Sequence, residues 1–305
     1  MIYGILFVES PRKEIVYYQW IPLVLFLQAI LFFLPSMFWA ALNHSVGMDM
    51  NAIVKTCKNI DNIDPCYRDK VTKYLAQHFD RYVHYSRQIS TTQCAAVKAK
   101  MADLGCICGK RYGNYLVVVY LFIKMLYIGN VILQLYLLNY FLGTDYVMYG
   151  FEVMRDLSQS GTYKESPRFP RVTLCDFNVR SFGKTKPHTV QCTLPINLFN
   201  EKIFIWVWFW LTLVGVANVV SFTSWMWVMF ARNRRAYIKR YLKSFDKFDK
   251  KTGKIKIGAF CERYLRVDGY FILQMISKNS SELVVGELIT LLWVNFDRKT
   301  QHLNV

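Results

Sequence analysis

Three stretches of the chain are apolar almost without interruption: residues 17–42, 115–142 and 203–231. The first and third hold no charged residue, and the second holds only Lys124. At about 1.5 Å per residue each makes about 39–44 Å of helix, against about 30 Å of hydrocarbon in a bilayer. A core helix of a soluble domain does not stay uncharged over such a length, so the pattern predicts three transmembrane helices. Elsewhere the period changes. Arg171–Asp176 alternates like a strand, and the Pro and Asn positions beyond it read as turns. Tyr237, Tyr241, Phe245 and Phe248 recur at helical spacing, as do Leu283, Val284, Leu288, Leu291 and Leu292. Such stripes predict helices of a packed dome built from 43–114 and 232–305. Asn279, with Glu282 three residues on, predicts a start for the last helix resembling a capping box.

Tryptophan and charge fix where these elements lie. Of eight tryptophans, seven (Trp20, Trp39, Trp206, Trp208, Trp210, Trp225 and Trp227) fall near the predicted membrane boundaries, where an amphipathic indole is most stable. After the third block, residues 231–250 carry eight Lys and Arg, whereas the twenty residues before it carry only Lys184, Lys186 and Lys202. Lys98, Lys100, Lys110 and Arg111 precede the second block, with only Arg155 in the twenty residues after it. Both asymmetries put 43–114 and 232–305 in the cytosol and 143–202 outside. The chain then reads as an outer N-terminal remnant (1–16), a span (17–42), a cytosolic loop (43–114), a span (115–142), an outer loop (143–202), a span (203–231) and a cytosolic tail (232–305). Asn43 and Asn279 open glycosylation triplets, but both fall on the cytosolic side, and glycan on Asn279 would contradict this sidedness.

Composition removes other classes. With 53% hydrophobic residues gathered into blocks and only 8 Pro in 305 residues, this is neither an ordinary soluble domain nor a disordered chain. The net charge of +17 is mostly the topology signal, set beside an anionic inner leaflet, so membrane lipid is the partner it implies and nucleic acid is not. The fold class is an all-α polytopic membrane protein with a small cystine-bearing extracellular lobe containing some β-structure and a helical cytosolic dome.

Candidate chemistry is sparse. Of eight cysteines, only Cys175 and Cys192 face the oxidising side, and a mutual disulfide would close a loop of about 17 residues. Cys94, Cys106 and Cys108 with His78 and His84 lack zinc-ligand spacing, so no metal is expected. Residues 245–255 resemble a calcium loop, but with Gly253 at position six, positions one and twelve are Phe248 and Ala259, which cannot ligate. No HExxH, GxSxG or P-loop is present, so neither a catalytic residue nor a cofactor is expected and the chain is not read as an enzyme. Polar groups at membrane depth are the functional candidates: Lys124, and Asn130 with Gln134 at i,i+4 on one face. They either line an aqueous conduit or bond between helices, with Lys124 snorkelling. Pro22 falls in the first turn of its span, where proline costs least, and Pro35 is expected to bend the helix.

The longest distinctive motifs are Tyr17-Tyr18-Gln19-Trp20-Ile21-Pro22, Gly109–Asn114, Phe141-Leu142-Gly143, Phe169–Asp176, Cys192–Lys202, Asp268-Gly269-Tyr270 and Glu287-Leu288. In these the chain resembles the innexins, the gap-junction channel family of invertebrates, from Tyr17 nearly to its end. The resemblance implies a four-span subunit that rings a wide pore as a homo- or hetero-oligomer with other innexin subunits. Two such hemichannels dock across the gap between plasma membranes and pass ions and small solutes by passive diffusion. The three spans correspond to the family's second to fourth. The family's N-terminal helix, first span and first outer loop have no counterpart here, and the expectation is that an upstream span lies outside this chain. The alternative is a truncated, pore-less subunit that modulates complete innexins or is non-functional. Family members pair cysteines of the first outer loop with those of the second, so Cys175 and Cys192 pair either with each other or with upstream cysteines.

Overall fold

The computed structural model describes residues 17–44, 50–58, 64–85, 113–143, 145–160, 166, 168–245 and 253–303. Among them, three helices are long and apolar enough to cross a membrane. They are α1 (Ile21–His44), α4 (Tyr115–Leu142) and α6 (Ile196–Met229). A 3-10 turn, Tyr17–Gln19, precedes α1. The remaining elements are α2 (Met50–Lys58), α3 (Pro65–Tyr85), α5 (Tyr149–Ser160), β1 (Val172–Ser181), β2 (Lys184–Thr193), α7 (Ala231–Ser244), α8 (Gly253–Ala259), α9 (Arg266–Asn279) and α10 (Glu282–Leu303). A π-helical turn, Phe260–Leu265, joins α8 to α9.

The ends of α4 coincide with the apolar block because sequence signals stop it on both sides. Gly143, at φ +61°, donates its N–H to the carbonyls of Asn139 and Tyr140, a left-handed cap that only glycine adopts without strain. The third span differs from its block. The helix begins seven residues earlier than 203, at Ile196, and ends at Met229, with Phe230 separating it from α7. Its first two turns carry Asn197, Asn200 and Glu201, which are polar yet buried, so apolarity alone marked the start too late. At the tail, Asn279 does not open α10. It closes α9, its side-chain amide donating to the carbonyl of Met275, and α10 starts at Glu282.

The chain divides into two compact units. One comprises Met1–Phe33 and Tyr127–Asn218. Its core gathers Ile21, Val24, Leu138, Tyr146, Tyr149, Phe169, Phe204 and Trp208. Gly150 lies flat against Trp208, whose ring would stand 1.9 Å from any added Cβ, and the indole N–H donates to the Val147 carbonyl at 2.9 Å. Trp208 is thus a core residue rather than an interfacial anchor, and so is Trp225 in the other unit, whereas Trp20, Trp206, Trp210 and Trp227 stay exposed.

The second unit comprises Leu34–Leu126 and Val219–Val305. Here α2, α3 and α7–α10 share one apolar core centred on Phe260, Phe271, Ile272, Leu288 and Leu292. The stripes of the tail account for it: Tyr241, Val284, Leu288 and Leu292 are buried, while Leu283 at the edge is exposed. Gly286 leaves room for the Phe245 ring, which would meet a Cβ at 2.2 Å. Arg68 of α3 donates through Nε to both carboxylate oxygens of Glu287 on α10, at 3.0 and 3.1 Å.

Candidate functional site

Beyond α5 the chain forms a two-residue hairpin. β1 and β2 pair antiparallel from Val172↔Thr193 to Ser181↔Lys184. The tip, Phe182-Gly183, has φ +45° and +78°, the pair of positive values a type I′ turn requires and which its twist matches to the strands. Of the Pro and Asn positions beyond Asp176, Asn178 does not turn the chain but lies inside the ladder, opposite Pro187. Counting from the hydrogen-bonded pair that flanks a two-residue turn, their pair is a non-bonded one. The missing proline N–H therefore points outward and costs no ladder bond.

Cys175 stands opposite Val190 and Cys192 opposite Thr173, on one face of the ribbon. The two cysteines form a disulfide along that diagonal, with Cα atoms 5.9 Å apart. The same face carries Phe177 stacked on His188. Cys94, Cys106 and Cys108 lie outside the described residues, as does most of the Gly109–Asn114 motif. So do the N-terminal remnant and Phe248.

The Tyr17-Tyr18-Gln19-Trp20 signature holds the base of this lobe. Tyr17 packs edge-on against both Phe141 and Phe169, with centroids 6.4 and 6.1 Å away. Its hydroxyl donates to the Arg168 carbonyl at 3.0 Å and accepts from the Asn197 amide, which also donates to the Pro170 carbonyl at 2.8 Å. Glu201, almost fully buried, accepts from the Ser166 N–H at 3.0 Å and pairs with Arg171 at 3.4 Å. The strands thus leave α6 through a polar knot made from residues that the apolar pattern passed over. Among the described residues Tyr18 bonds locally, accepting from Gln19, while Trp20 and Pro22 are exposed.

At membrane depth the structure separates the three polar candidates. Asn130 and Gln134 are buried together on α4. Asn130 Nδ2 donates to the Leu31 carbonyl and Gln134 Nε2 to the Gln28 carbonyl, each at 3.2 Å. Gln28, also buried, escaped the sequence reading although it is an amide in mid-span and meets the same criterion. Lys124 is not with them. Its ammonium donates to Ser221 Oγ of α6 at 3.0 Å and lies 5.5 Å from the Tyr120 ring centroid. Tyr120 in turn packs edge-on against Trp39 and Trp225. Pro35 sits inside α1 without breaking it.

A further polar centre joins two of the sequence motifs. Asp268 is 1% exposed, and its carboxylate accepts the N–H groups at the start of α4, including Val117 at 3.1 Å, together with the Tyr82 hydroxyl at 3.1 Å. It caps that span from 151 residues away. The Asp268 N–H donates to the Gly113 carbonyl at 2.8 Å. Gly113, at φ +68°, lies under the Arg266 side chain, which would meet a Cβ at 2.7 Å. Burial pushes the Asp268 carboxyl up to about 6, although the amides and Tyr82 that bond its ionised form pull it back.

Comparison with known proteins places these features in a family. The innexin family model matches residues 7–296. The chain is similar to innexin unc-9 of Caenorhabditis elegans, with 34% identity over 291 residues, 95% of this chain and 74% of that protein. Innexin-10 of the same organism is 36% identical over 94% of this chain and 52% of its own length. Innexin-11, also from C. elegans, is 31% identical over 97% of this chain and 64% of its own length. The chain therefore spans about half to three quarters of these relatives.

Proposed function

Because the chain belongs to the innexin family of gap-junction membrane proteins, we propose that it is a structural subunit of a channel that passes ions and small solutes passively between cells. The observation that carries this reading is the family match across the three spans, the hairpin lobe and the helical bundle together. Much of each span's surface is apolar and uncovered, such as Phe26, Phe33 and Met37 on α1 and Leu213, Val216 and Val220 on α6. Surfaces of that kind suit lipid or neighbouring subunits, in a homo- or hetero-oligomer.

In this reading the hairpin lobe faces the extracellular gap, where an opposed hemichannel docks, and the bundle faces the cytosol. The excess of Lys and Arg after α6 and before α4 supports that sidedness. The subunit supplies a conduit and its gating surfaces, and no residue is assigned a catalytic role. Asn130, Gln134 and Lys124 act between helices rather than in the conduit, a reading supported by their bonds to Leu31, Gln28 and Ser221.

The test is junctional conductance between paired oocytes. One set expresses this chain alone, and another co-expresses it with a complete innexin. Current above the water-injected background from the chain alone, or a changed unitary conductance on co-expression, is the expected result. Surface-delivered protein that does neither would overturn the channel reading.

A further inference from the structure

Pro35 lies in the interior of α1 and has no N–H. The carbonyl four residues earlier, that of Leu31, therefore lacks its intrahelical donor, and the pyrrolidine ring crowds that same carbonyl outward. In the hydrocarbon no water can replace the bond, so a neighbouring helix must. The side chain that reaches it is Asn130 of α4, buried, with Nδ2 3.2 Å from the Leu31 oxygen.

We propose that Asn130 is a positioning residue dedicated to Pro35: it supplies, from the second of the three spans, the hydrogen bond that proline withholds in the first. The neighbouring amides explain why asparagine serves here. Gln134, one turn along α4, donates through the same Nε2 to the Gln28 carbonyl at 3.2 Å and to Asn130 Oδ1 at 3.4 Å. A donor directed at Oδ1 fixes which end of the Asn130 amide turns towards Leu31, an orientation that would otherwise be arbitrary. The two amides differ in role. The Gln28 carbonyl still has the N–H of Phe32 available, so Gln134 adds a bond, whereas Asn130 replaces a missing one. The pair Pro35–Asn130 thus sets α1 and α4 in one register. Pro35 without Asn130 leaves an orphaned carbonyl, whereas Asn130 without Pro35 only adds a second bond to a carbonyl that residue 35 already satisfies, as Gln134 does at Gln28.

A four-protein cycle on the full chain tests this: wild type, Asn130→Leu, Pro35→Ala and the double variant, each melted in detergent and followed by size-exclusion fluorescence. Leucine keeps the branched shape of asparagine and removes the donor. With Pro35 present, Asn130→Leu is expected to lower the melting midpoint by about 3–6 °C. In the Pro35→Ala background, where residue 35 regains its N–H, the same change is expected to cost less than about a third of that. Equal drops in both backgrounds, or no drop in either, would overturn the proposal. If Asn130→Leu fails to accumulate, its recovery by Pro35→Ala supports the pairing, and failure of the double variant as well overturns it. No channel current enters the readout, so the pairing and the proposed function stand or fall independently.

Discussion

On the β1–β2 ribbon Val172, Leu174, Phe177, Val179 and Val190 are all exposed, whereas Phe271, Ile272, Leu288 and Leu292 in the helical bundle have no solvent exposure at all. The bundle draws its stability from buried apolar area, with ion pairs such as Arg68–Glu287 at its edges. The ribbon buries almost none. A two-stranded hairpin is marginal in water by itself, so a covalent tie between its strands and the polar knot at Tyr17, Asn197 and Glu201 must do what a core does elsewhere. The two regions should therefore fail under different insults: the bundle when a side chain is cut back, the ribbon when a reductant is added.

The largest effect expected is from Phe271→Ala. It empties a site with 0% exposure at the bundle centre and should cost about 3–5 kcal/mol. Thermal unfolding of the detergent-solubilised protein measures it, and proteolysis within 172–193 should be unchanged. If the hairpin were cleaved faster as well, the two regions would not be energetically separate. Next in size is the pair Cys175→Ser with Cys192→Ser. Removing a tie of sequence separation 17 should destabilise the hairpin by about 3 kcal/mol on the chain-entropy model. Protease should then cut between the strands while the melting of the bundle stays where it was. A bundle midpoint that falls by as much as in Phe271→Ala would show that the cystine also stabilises the bundle.

The smallest effect expected is at Asp268. The carboxyl of Asp268 is pushed up to about 6 from an unfolded value of 3.8, so the folded chain holds this proton more tightly. The stability it contributes is fully present below about 3.8 and is lost as pH rises through about 6. Lowering the pH from 7 to 5 should therefore add about 1 kcal/mol through this group. Asp268→Asn should flatten that segment of the stability–pH curve, read as the difference between wild type and variant. A level difference curve would show that the amides of α4 and Tyr82 balance burial at this site, and one that slopes the other way that they outweigh it.

Legibility in the sequence followed the range of the interaction. The limits of α4 were readable because its apolar block, 115–142, coincides with the helix, which Gly143 then ends locally. The start of α6 was not. Asn197 and Glu201 look like the edge of a membrane segment, and only the tertiary partners Pro170, Ser166 and Arg171 explain their burial. Asn178 reads as a turn former because asparagine favours turns in isolation. The register that makes Pro187 harmless depends on where the tip falls, and Phe182, with a side chain that disfavours positive φ, is a poor advertisement for it. The capping of α4 by Asp268 spans 151 residues, beyond any spacing rule, although both segments carry recognisable motifs. The alternation of the strand and the apolar stripes of the tail were within reach, since each rests on period, whereas the sequence left open whether Cys175 and Cys192 pair with each other, which only the register of the ribbon settles.

The diagonal placement of the cystine has one more consequence. In an antiparallel ribbon, neighbouring positions point to opposite faces, so sliding one strand by a single residue would carry Cys192 to the face away from Cys175. A ribbon paired one step wrong cannot be oxidised within itself. The thiols therefore act as a checksum on strand alignment: the ribbon locks only when the alignment has the right parity, and a mispaired one keeps its two thiols unjoined.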